Sequence, residues 1–177
     1  MRLTKKQYLI LAVCTTILMT IYAQFVLGHF SQCFKTEEGI NSLGLSFDYT
    51  TTDVFGFLEK RSNEQLTCYL SFLRIWDGIF PIIYTLMYSF WIIYFFKPKT
   101  ILLLVPILHM LTDWTENIFE SLIIKEYLTA GILNDEIISF GSIITSLKWI
   151  LSIGTYLILL YGIFVKMKII LTMRKTG

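Results

Sequence analysis

Residues 109–120 read HMLTDWTENIFE and lie between two apolar stretches, TILLLVPIL at 100–108 and SLII at 121–124. Five polar side chains therefore interrupt a segment that otherwise has the composition of a membrane helix: His109, Asp113, Glu116, Asn117 and Glu120. At about 100° per residue of α-helix, the histidine and the three acids fall within roughly 60° of one another, with the asparagine beside them. The stretch is thus expected to form a helix with a single polar stripe.

The composition of the whole chain indicates a membrane protein. Of its 177 residues, 55% are hydrophobic and 16% aromatic, and the mean hydropathy is +0.64; a soluble domain of this size is less apolar. Four stretches are long enough to cross a hydrocarbon core of roughly 30 Å, which takes about 20 helical residues: 8–27, 72–96, 100–124 and 137–165. We expect residues 1–177 to form one all-α transmembrane domain, a polytopic four-helix bundle.

The distribution of charge predicts the orientation of these spans, because Lys and Arg near span ends stay on the cytoplasmic side. Only basic residues flank the two termini and the short second loop: Arg2, Lys5, Lys6, Lys97, Lys99, Lys166, Lys168, Arg174 and Lys175. The other two loops are mainly acidic, with Glu37, Glu38, Asp48, Asp53, Glu59, Glu64, Glu126, Asp135 and Glu136. Both termini are therefore expected to be cytoplasmic; the sequence does not identify the membrane.

The first outer loop, residues 28–68, is expected to be structured. A short amphipathic helix is predicted near residues 53–60, capped by Thr52 or Asp53. Cys33 and Cys68 both fall on the outer side, where a disulfide would tie the end of the first span to the start of the second helix. The spacing leaves open whether the sulfurs come within bonding distance. Cys14, in the first span, is expected to be buried.

Each of the other helices also carries a polar stripe. The stripes comprise Thr16, Thr20 and Gln24 in the first span, Asp77, Pro81, Tyr84 and Tyr88 in the second, and Lys148, Ser152 and Thr155 in the fourth. A charge at the centre of a lone membrane helix costs roughly 2.5–3.5 kcal/mol, so these groups should face inward and pair, or line a wet cavity. His109 is expected near mid-membrane and the acids in the outer half, so the cavity should open outward, with Arg74 also facing it.

Several separated motifs resemble, in order and spacing, a group of small four-span integral membrane proteins known mainly from genome sequences. The matching segments are FDY at 47–49, YL at 69–70, DGIFPIIY at 77–84, DWTEN at 113–117 and SLKW at 146–149. This resemblance covers most of the chain from residue 47 onward. It implies that Asp77, Asp113, Glu116, Asn117 and Lys148 belong to one site, and it implies no activity.

A weaker, architectural similarity is to the emopamil-binding group, the EXPERA fold of sterol isomerases and amine-binding receptors. FLRIWDGIFPIIY at 72–84 is similar to the second span of those proteins, with an acid ahead of a proline. The similarity implies four spans, cytoplasmic termini and acids inside the bundle. The chain lacks the isomerases' paired His and Glu, since His29 lies in a loop and His109 is the only intramembrane histidine. Sterol isomerisation is therefore not implied.

The residue types exclude several functions and leave others open. No P-loop, dinucleotide fingerprint or Ser-His-Asp pattern is present, so no cofactor is expected. The basic residues form only short flanks of the spans, so no nucleic-acid partner is expected either. His109, Asp113 and Glu116 recur at i, i+4 and i+7, a pattern that Zn or Mn would accept, although only one histidine contributes. A purely structural ion-pair network is the chief alternative to a ligand site. An intramembrane enzyme would use Asp113 or Glu116 as general acid or base on a lipid-like substrate.

A ligand-binding module is favoured over an enzyme, because catalysis needs a positioned nucleophile or proton pair and the sequence shows only acids. The two cations expected at the site, Arg74 and Lys148, are outnumbered by four acids: Asp77, Asp113, Glu116 and Glu120. Either a carboxyl therefore keeps its proton or a cation occupies the site. We expect the site, comprising Asp77, His109, Asp113, Glu116, Asn117 and Lys148, to bind a cation, a lipid or a small cationic amphiphile. Asp113 and Glu116 would contact the ligand directly, with a neutral hydrogen bond from Asn117. A role as an accessory subunit beside other membrane subunits is compatible with this hypothesis.

Overall fold

The computed structural model describes residues 3–37, 41–96, 98 and 100–175, without the side chains of 173–175. Within these ranges the chain forms helices and loops and no β-strand. Some residues used above to predict topology lie outside the described part: Arg2, Glu38, Lys97 and Lys99, together with the side chains of Arg174 and Lys175. The all-helical fold class expected from the sequence is therefore confirmed for the described residues.

The first long helical stretch is α1, Lys5–Ile21. Thr4 caps it through a reciprocal capping box, in which the Gln7 amide N–H donates to Thr4 Oγ1 and the Thr4 N–H donates to Gln7 Oε1 at 2.7 Å. The stretch then continues through a π-helical segment, Tyr22–Leu27, the short α2, Gly28–Phe30, and a 3₁₀ turn, Ser31–Phe34. In α1 itself only Ala12 is fully buried, so most of its apolar surface faces outward; Cys14 is also exposed rather than buried.

The first outer loop contains α3, Thr51–Glu59, close to where the sequence predicts a helix. Its cap is Thr50, which forms a capping box with Asp53, and its buried residues pack into an apolar cluster with Leu43 and Tyr69. The buried Arg61 donates to the carbonyls of Phe34 and Phe57 at 2.9 and 2.7 Å. A disulfide joins Cys33 to Cys68 with 6.3 Å between the Cα atoms. The loop is therefore a folded part of the protein.

The second long stretch begins with α4, Asn63–Phe72, capped by Ser62. It passes through a second π-helical segment, Leu73–Asp77, into α5, Gly78–Phe95, which contains Pro81. The helix thus starts about nine residues before the apolar stretch that marks it in the sequence, because its first turns pack against the loop that precedes it.

Two further helices complete the fold. A 3₁₀ turn, Ile101–Leu103, leads into α6, Leu104–Ala130, which ends at Gly131 in the left-handed conformation, φ 66°. Such a C-terminal residue favours glycine because a Cβ is strained at positive φ. The last helix, α7, runs without interruption over Asp135–Lys175. Both helices extend beyond the apolar stretches predicted as spans.

Three helical stretches are long and apolar enough to cross a membrane: Lys5–Phe34, Asn63–Phe95 and Asp135–Thr172. These stretches are typical of an integral membrane protein. α6 has 27 residues, about 40 Å of helix, but the acids of its polar stripe keep it out of this group. α6 packs against α5 and α7, whereas α1 packs mainly along α5.

Candidate functional site

The inner faces of the long helices surround a cavity of about 540 Å³. Its lining includes every residue predicted from the sequence to form the site, namely Asp77, His109, Asp113, Glu116, Asn117 and Lys148, and also Glu120. These residues come from the second π-helical segment, α6 and α7, and are up to 71 positions apart in the chain, yet they face one space. The structure therefore brings the whole predicted set together.

The polar stripe of α6 points into the protein. His109, Asp113 and Asn117 are at most 8% exposed, and Glu116 and Glu120 are each 1% exposed. The residues of α6 that are exposed between positions 104 and 124 are all apolar: Leu104, Ile107, Leu108, Leu111, Ile118 and Leu122. The helix thus separates a charged inner face from an apolar outer face, as the spacing of its residues predicts.

Lys148 is the cation that faces the acids. Its ammonium forms an ion pair with Glu116, lies 3.9 Å from Asp113 Oδ1, and donates to the carbonyl oxygen of Gly44 at 2.9 Å. Arg74, which was expected to face the same cavity, is exposed and does not line it, so that prediction is wrong. Four carboxyl groups therefore line the cavity together with Lys148, and two of them, those of Glu116 and Asp113, lie within ion-pair distance of its ammonium; the other lysine of the described lining, Lys35, is exposed.

Two tyrosine hydroxyls donate hydrogen bonds to two of the carboxyl groups. The hydroxyl of Tyr84 donates to Asp113 Oδ2 at 2.8 Å. The hydroxyl of Tyr69 donates to Glu120 and is also 2.7 Å from Ser42 Oγ. Tyr84 was predicted to lie on the polar face of its helix, whereas no role was predicted for Tyr69 or Ser42. One signal could have pointed to Tyr69: it belongs to the segment YL at 69–70, which is among the segments that resemble the four-span proteins.

A loop of residues 42–49, here called the cap loop, covers the acids at this end of the cavity. A Cβ on the buried Gly44 would lie 2.9 Å from both Glu116 Oε2 and Glu120 Oε1, so only glycine fits there without a shift of these carboxyl groups. The loop is fixed to α7 by a hydrogen bond from Ser146 Oγ to the Phe47 carbonyl, 3.1 Å, and from the Tyr49 N–H to Ser142 Oγ, 3.0 Å. The loop therefore partly covers the end of the cavity that was expected to open outward. The exposed residues of the described lining are Lys35, Asn41 and Leu45, which precede or belong to the loop, and Tyr156 of α7.

Asp77 is the carboxyl with the fewest partners. It is half-buried, lies next to Asn117, and has no ion-pair partner in the described part of the chain. The helix around it is held by two bonds to backbone carbonyls: Tyr22 donates to Trp76, 2.7 Å, and Trp114 donates to Gly78, 2.9 Å. Asp77 ends a π-helical segment, a distortion that is frequently found at functional sites.

Other polar groups of the lining have no hydrogen-bond partner. His109 Nδ1, Glu116 Oε1, Asn117 Nδ2 and Trp149 Nε1 are buried without a partner in the part of the chain that the structure describes. The ring of His109 stacks on that of Tyr84 with centroids 4.6 Å apart and an interplanar angle of 25°. Because buried polar atoms are nearly always hydrogen-bonded in folded proteins, these four atoms indicate that the cavity accepts a polar partner.

The described residues contain no group of three His, Cys, Asp or Glu side chains placed to hold a metal ion. The i, i+4, i+7 pattern of His109, Asp113 and Glu116 therefore lines the cavity without converging on one point. Asp113 and Glu116 are already engaged by Tyr84 and Lys148, respectively.

No family model, curated protein or solved structure matches this chain. The resemblances described in the sequence analysis therefore remain predictions.

Proposed function

We propose that the protein is an integral membrane four-helix bundle with both termini cytoplasmic, which binds a small cationic or amphiphilic ligand in the cavity. The observation that carries this proposal is that four carboxyl groups, those of Asp77, Asp113, Glu116 and Glu120, line the cavity, whereas its described lining contains two lysines, of which Lys35 is exposed and Lys148 pairs with Glu116. Buried carboxylates without counter-ions are costly, so a bound cation would stabilise the site.

Besides the three apolar stretches, α6 would be the remaining span of this bundle and the third in chain order. About 40 Å of helix is more than the roughly 30 Å of a hydrocarbon core. Its acids face the cavity and its exposed residues between 104 and 124 are apolar, so lipid would contact only apolar side chains. Charged residues inside membrane spans usually mark sites of function, which supports assigning the function to this cavity.

The contacts already made within the site favour Asp77 and Asp113 as the groups that meet the ligand. Glu116 is occupied by Lys148 and Glu120 by Tyr69. Asp113 accepts one hydrogen bond, from Tyr84, and lies farther from Lys148, while Asp77 has no ion pair. We therefore expect Asp77 and Asp113, and no longer Asp113 and Glu116, to contact the ligand directly. Asn117 lies next to Asp77.

Thermal unfolding of the purified protein in detergent tests the proposal. A panel of inorganic cations, alkylamines and neutral alcohols of matched chain length should include a cation that raises the melting temperature of the wild type. The Asp77→Asn and Asp113→Asn variants should lose this effect, whereas Glu136→Gln, which changes an exposed acid outside the cavity, should keep it.

A different result would identify the acids as a structural network. In that case no cation would stabilise the wild type selectively, and both neutral variants would be more stable than it. Replacing buried ionised groups with neutral ones often stabilises a protein when no ligand depends on them.

A further inference from the structure

The wall of the cavity includes residues of both the first helical stretch and the last helix. Met19 and Ala23 belong to the former, and Trp149 and Tyr156 belong to α7. α1 packs mainly along α5 rather than along α7. Tyr156 is 53% exposed although it lines the cavity. An opening beside Tyr156, between these two helices, would face the hydrocarbon of a membrane.

The polarity of the cavity changes along its length. The end beneath the cap loop contains the acids and Lys148 beside apolar residues such as Phe72 and Leu73, whereas the part deeper in the helices, with Phe80, Tyr88 and Tyr156, has no charged side chain in the described lining. A charged group at one end and aromatic rings at the other match a molecule with a charged head and an apolar tail. The charged end lies at the level of the first outer loop, where the head groups of the outer leaflet would be.

The volume limits the size of the apolar part. At roughly 30 Å³ for each non-hydrogen atom, 540 Å³ holds about 18 such atoms. That number corresponds to one alkyl chain with a small head and is well below that of a diacyl phospholipid. The excess of carboxyl groups also disfavours a phosphate head.

We propose that the ligand is a single-chain, long-chain amine that enters from the outer leaflet through the opening between α1 and α7. Its ammonium lies at Asp77 and Asp113, and its chain points toward Tyr88 and Tyr156. This inference rests on the proposed function, because it specifies the class of the cationic ligand and its route.

Photo-crosslinking in phosphatidylcholine nanodiscs tests the inference. The probe is dodecylamine with a diazirine at the chain end, and unlabelled butyl-, octyl- and dodecylamine and dodecanol compete at equal mole fractions in the bilayer. Dodecylamine should compete at least about tenfold better than butylamine, and dodecanol should not compete. The adducts should map to the deep end, at Met19, Tyr88 or Tyr156, and should disappear in Asp77→Asn.

Variants of the opening test the route. Ala23→Phe, and to a smaller extent Ala23→Leu, should weaken competition by dodecylamine while leaving butylamine unchanged, because they fill the space of the chain. Ile21→Phe is the matched control, since Ile21 is 49% exposed on the same helical stretch and does not line the cavity. Melting curves of each variant confirm that it is folded before binding is compared.

Three outcomes would overturn the inference, and they differ in their consequence for the proposed function. If butylamine competes as well as dodecylamine, the site takes cations without a chain and the proposed function stands. If Ile21→Phe impairs binding as much as Ala23→Phe, the route is wrong. If no amine competes and Asp77→Asn labels like the wild type, the inference fails, and the proposed function fails with it when no inorganic cation raises the melting temperature of the wild type.

Discussion

At the scale of single residues, the stability of the site depends on the contacts of Lys148. Its ammonium is shared by a carboxyl of α6 and a backbone carbonyl of the cap loop. Removing a charge from water costs several kcal/mol, and only close partners offset this cost. Loss of one member of such a pair leaves the other charge buried without compensation, so single substitutions should be more damaging than the double substitution.

A double-mutant cycle on Glu116 and Lys148 checks this expectation. Glu116→Gln and Lys148→Met should each lower the free energy of unfolding by about 3–5 kcal/mol, and the double variant by clearly less than the sum. The corresponding cycle on Asp113 and Lys148 should show weaker coupling, because that pair is 3.9 Å apart. Reversible unfolding in mixed micelles gives the four free energies, and additive effects in the first cycle would refute the pairing.

The Tyr69 hydroxyl gives a second prediction for single residues. Tyr69→Phe removes the donor to the buried Glu120 and should cost about 1–3 kcal/mol of stability, because a buried polar group is left unsatisfied. Tyr161→Phe changes a ring that is 61% exposed and serves as the control, with an expected change near zero. Equal unfolding free energies for the two variants would show that the contact does not stabilise the protein.

The sequence alone predicts which polar residues of α6 lie together, because one helix imposes a known rotation per residue. It fails for Arg74, which an α-helix would place on the same side as Asp77. The residues between them are π-helical, with i→i+5 hydrogen bonds and therefore a different rotation per residue. Nothing in the hydrophobic pattern marks such a segment. Contacts from distant loops, such as Gly44 on Glu116, were also missed because they depend on tertiary folding.

At the scale of elements, the fit of the cap loop on α6 depends on the missing side chain of Gly44. Gly44→Ala should displace the loop and cost about 1–3 kcal/mol, since its Cβ would collide with two carboxyl groups. Gly56→Ala is the matched control: its Cβ would have no neighbour within 4 Å, and inside α3 it should stabilise by up to about 1 kcal/mol. Faster hydrogen exchange at residues 42–49 in Gly44→Ala alone would support the prediction, and equal exchange in both variants would contradict it.

The cap of α3 should make this helix sensitive to acid. Hydrogen bonds from the Thr50 hydroxyl and then the Thr50 N–H lower the pKa of Asp53 below its ordinary value. A carboxyl with a lowered folded-state pKa stabilises fully above its unfolded pKa, about 3.9, and this stabilisation is lost as the pH falls through the folded value. The effect should be small, because the side chain is exposed and screened.

Amide hydrogen exchange of α3 measured between about pH 5 and pH 3 tests this prediction. After correction for the intrinsic pH dependence of exchange, the protection of the α3 amides should decrease as the pH is lowered in the wild type. In Asp53→Asn it should stay nearly constant. The same slope in both proteins would show that the Asp53 carboxylate does not hold the cap.

The ends of the long helices were predicted less well than their centres. Hydropathy identified 100–124 and 137–165, but α6 continues to Ala130 and α7 covers Asp135–Lys175. Hydropathy identifies the part of a helix that is apolar enough to lie in hydrocarbon. The ends of the helix depend instead on capping residues and on helix propensity. Lys166 and Lys168 end the apolar stretch, but lysine is a good helix former and does not end α7.

At the scale of the whole molecule, the proposed topology and the disulfide can be tested together. A membrane-impermeant thiol reagent applied to intact cells should label the protein only after reduction, at Cys33 and Cys68. Cys14 is exposed in the first span, where lipid would shield it from an aqueous reagent, and Cys14→Ala controls for it. Labelling only after permeabilisation would reverse the topology, and labelling without reduction would contradict the bridge.

The uninterrupted length of α7 has a mechanical consequence. Its 41 residues contain no proline, so the helix can act as a stiff lever that joins the cap loop to its far end. From Lys148 to Thr172 the helix extends about 36 Å, and a tilt of about 10° around Lys148 would therefore move the far end by about 6 Å. A displacement of the cap loop too small to open the cavity would be amplified on the opposite side of the membrane.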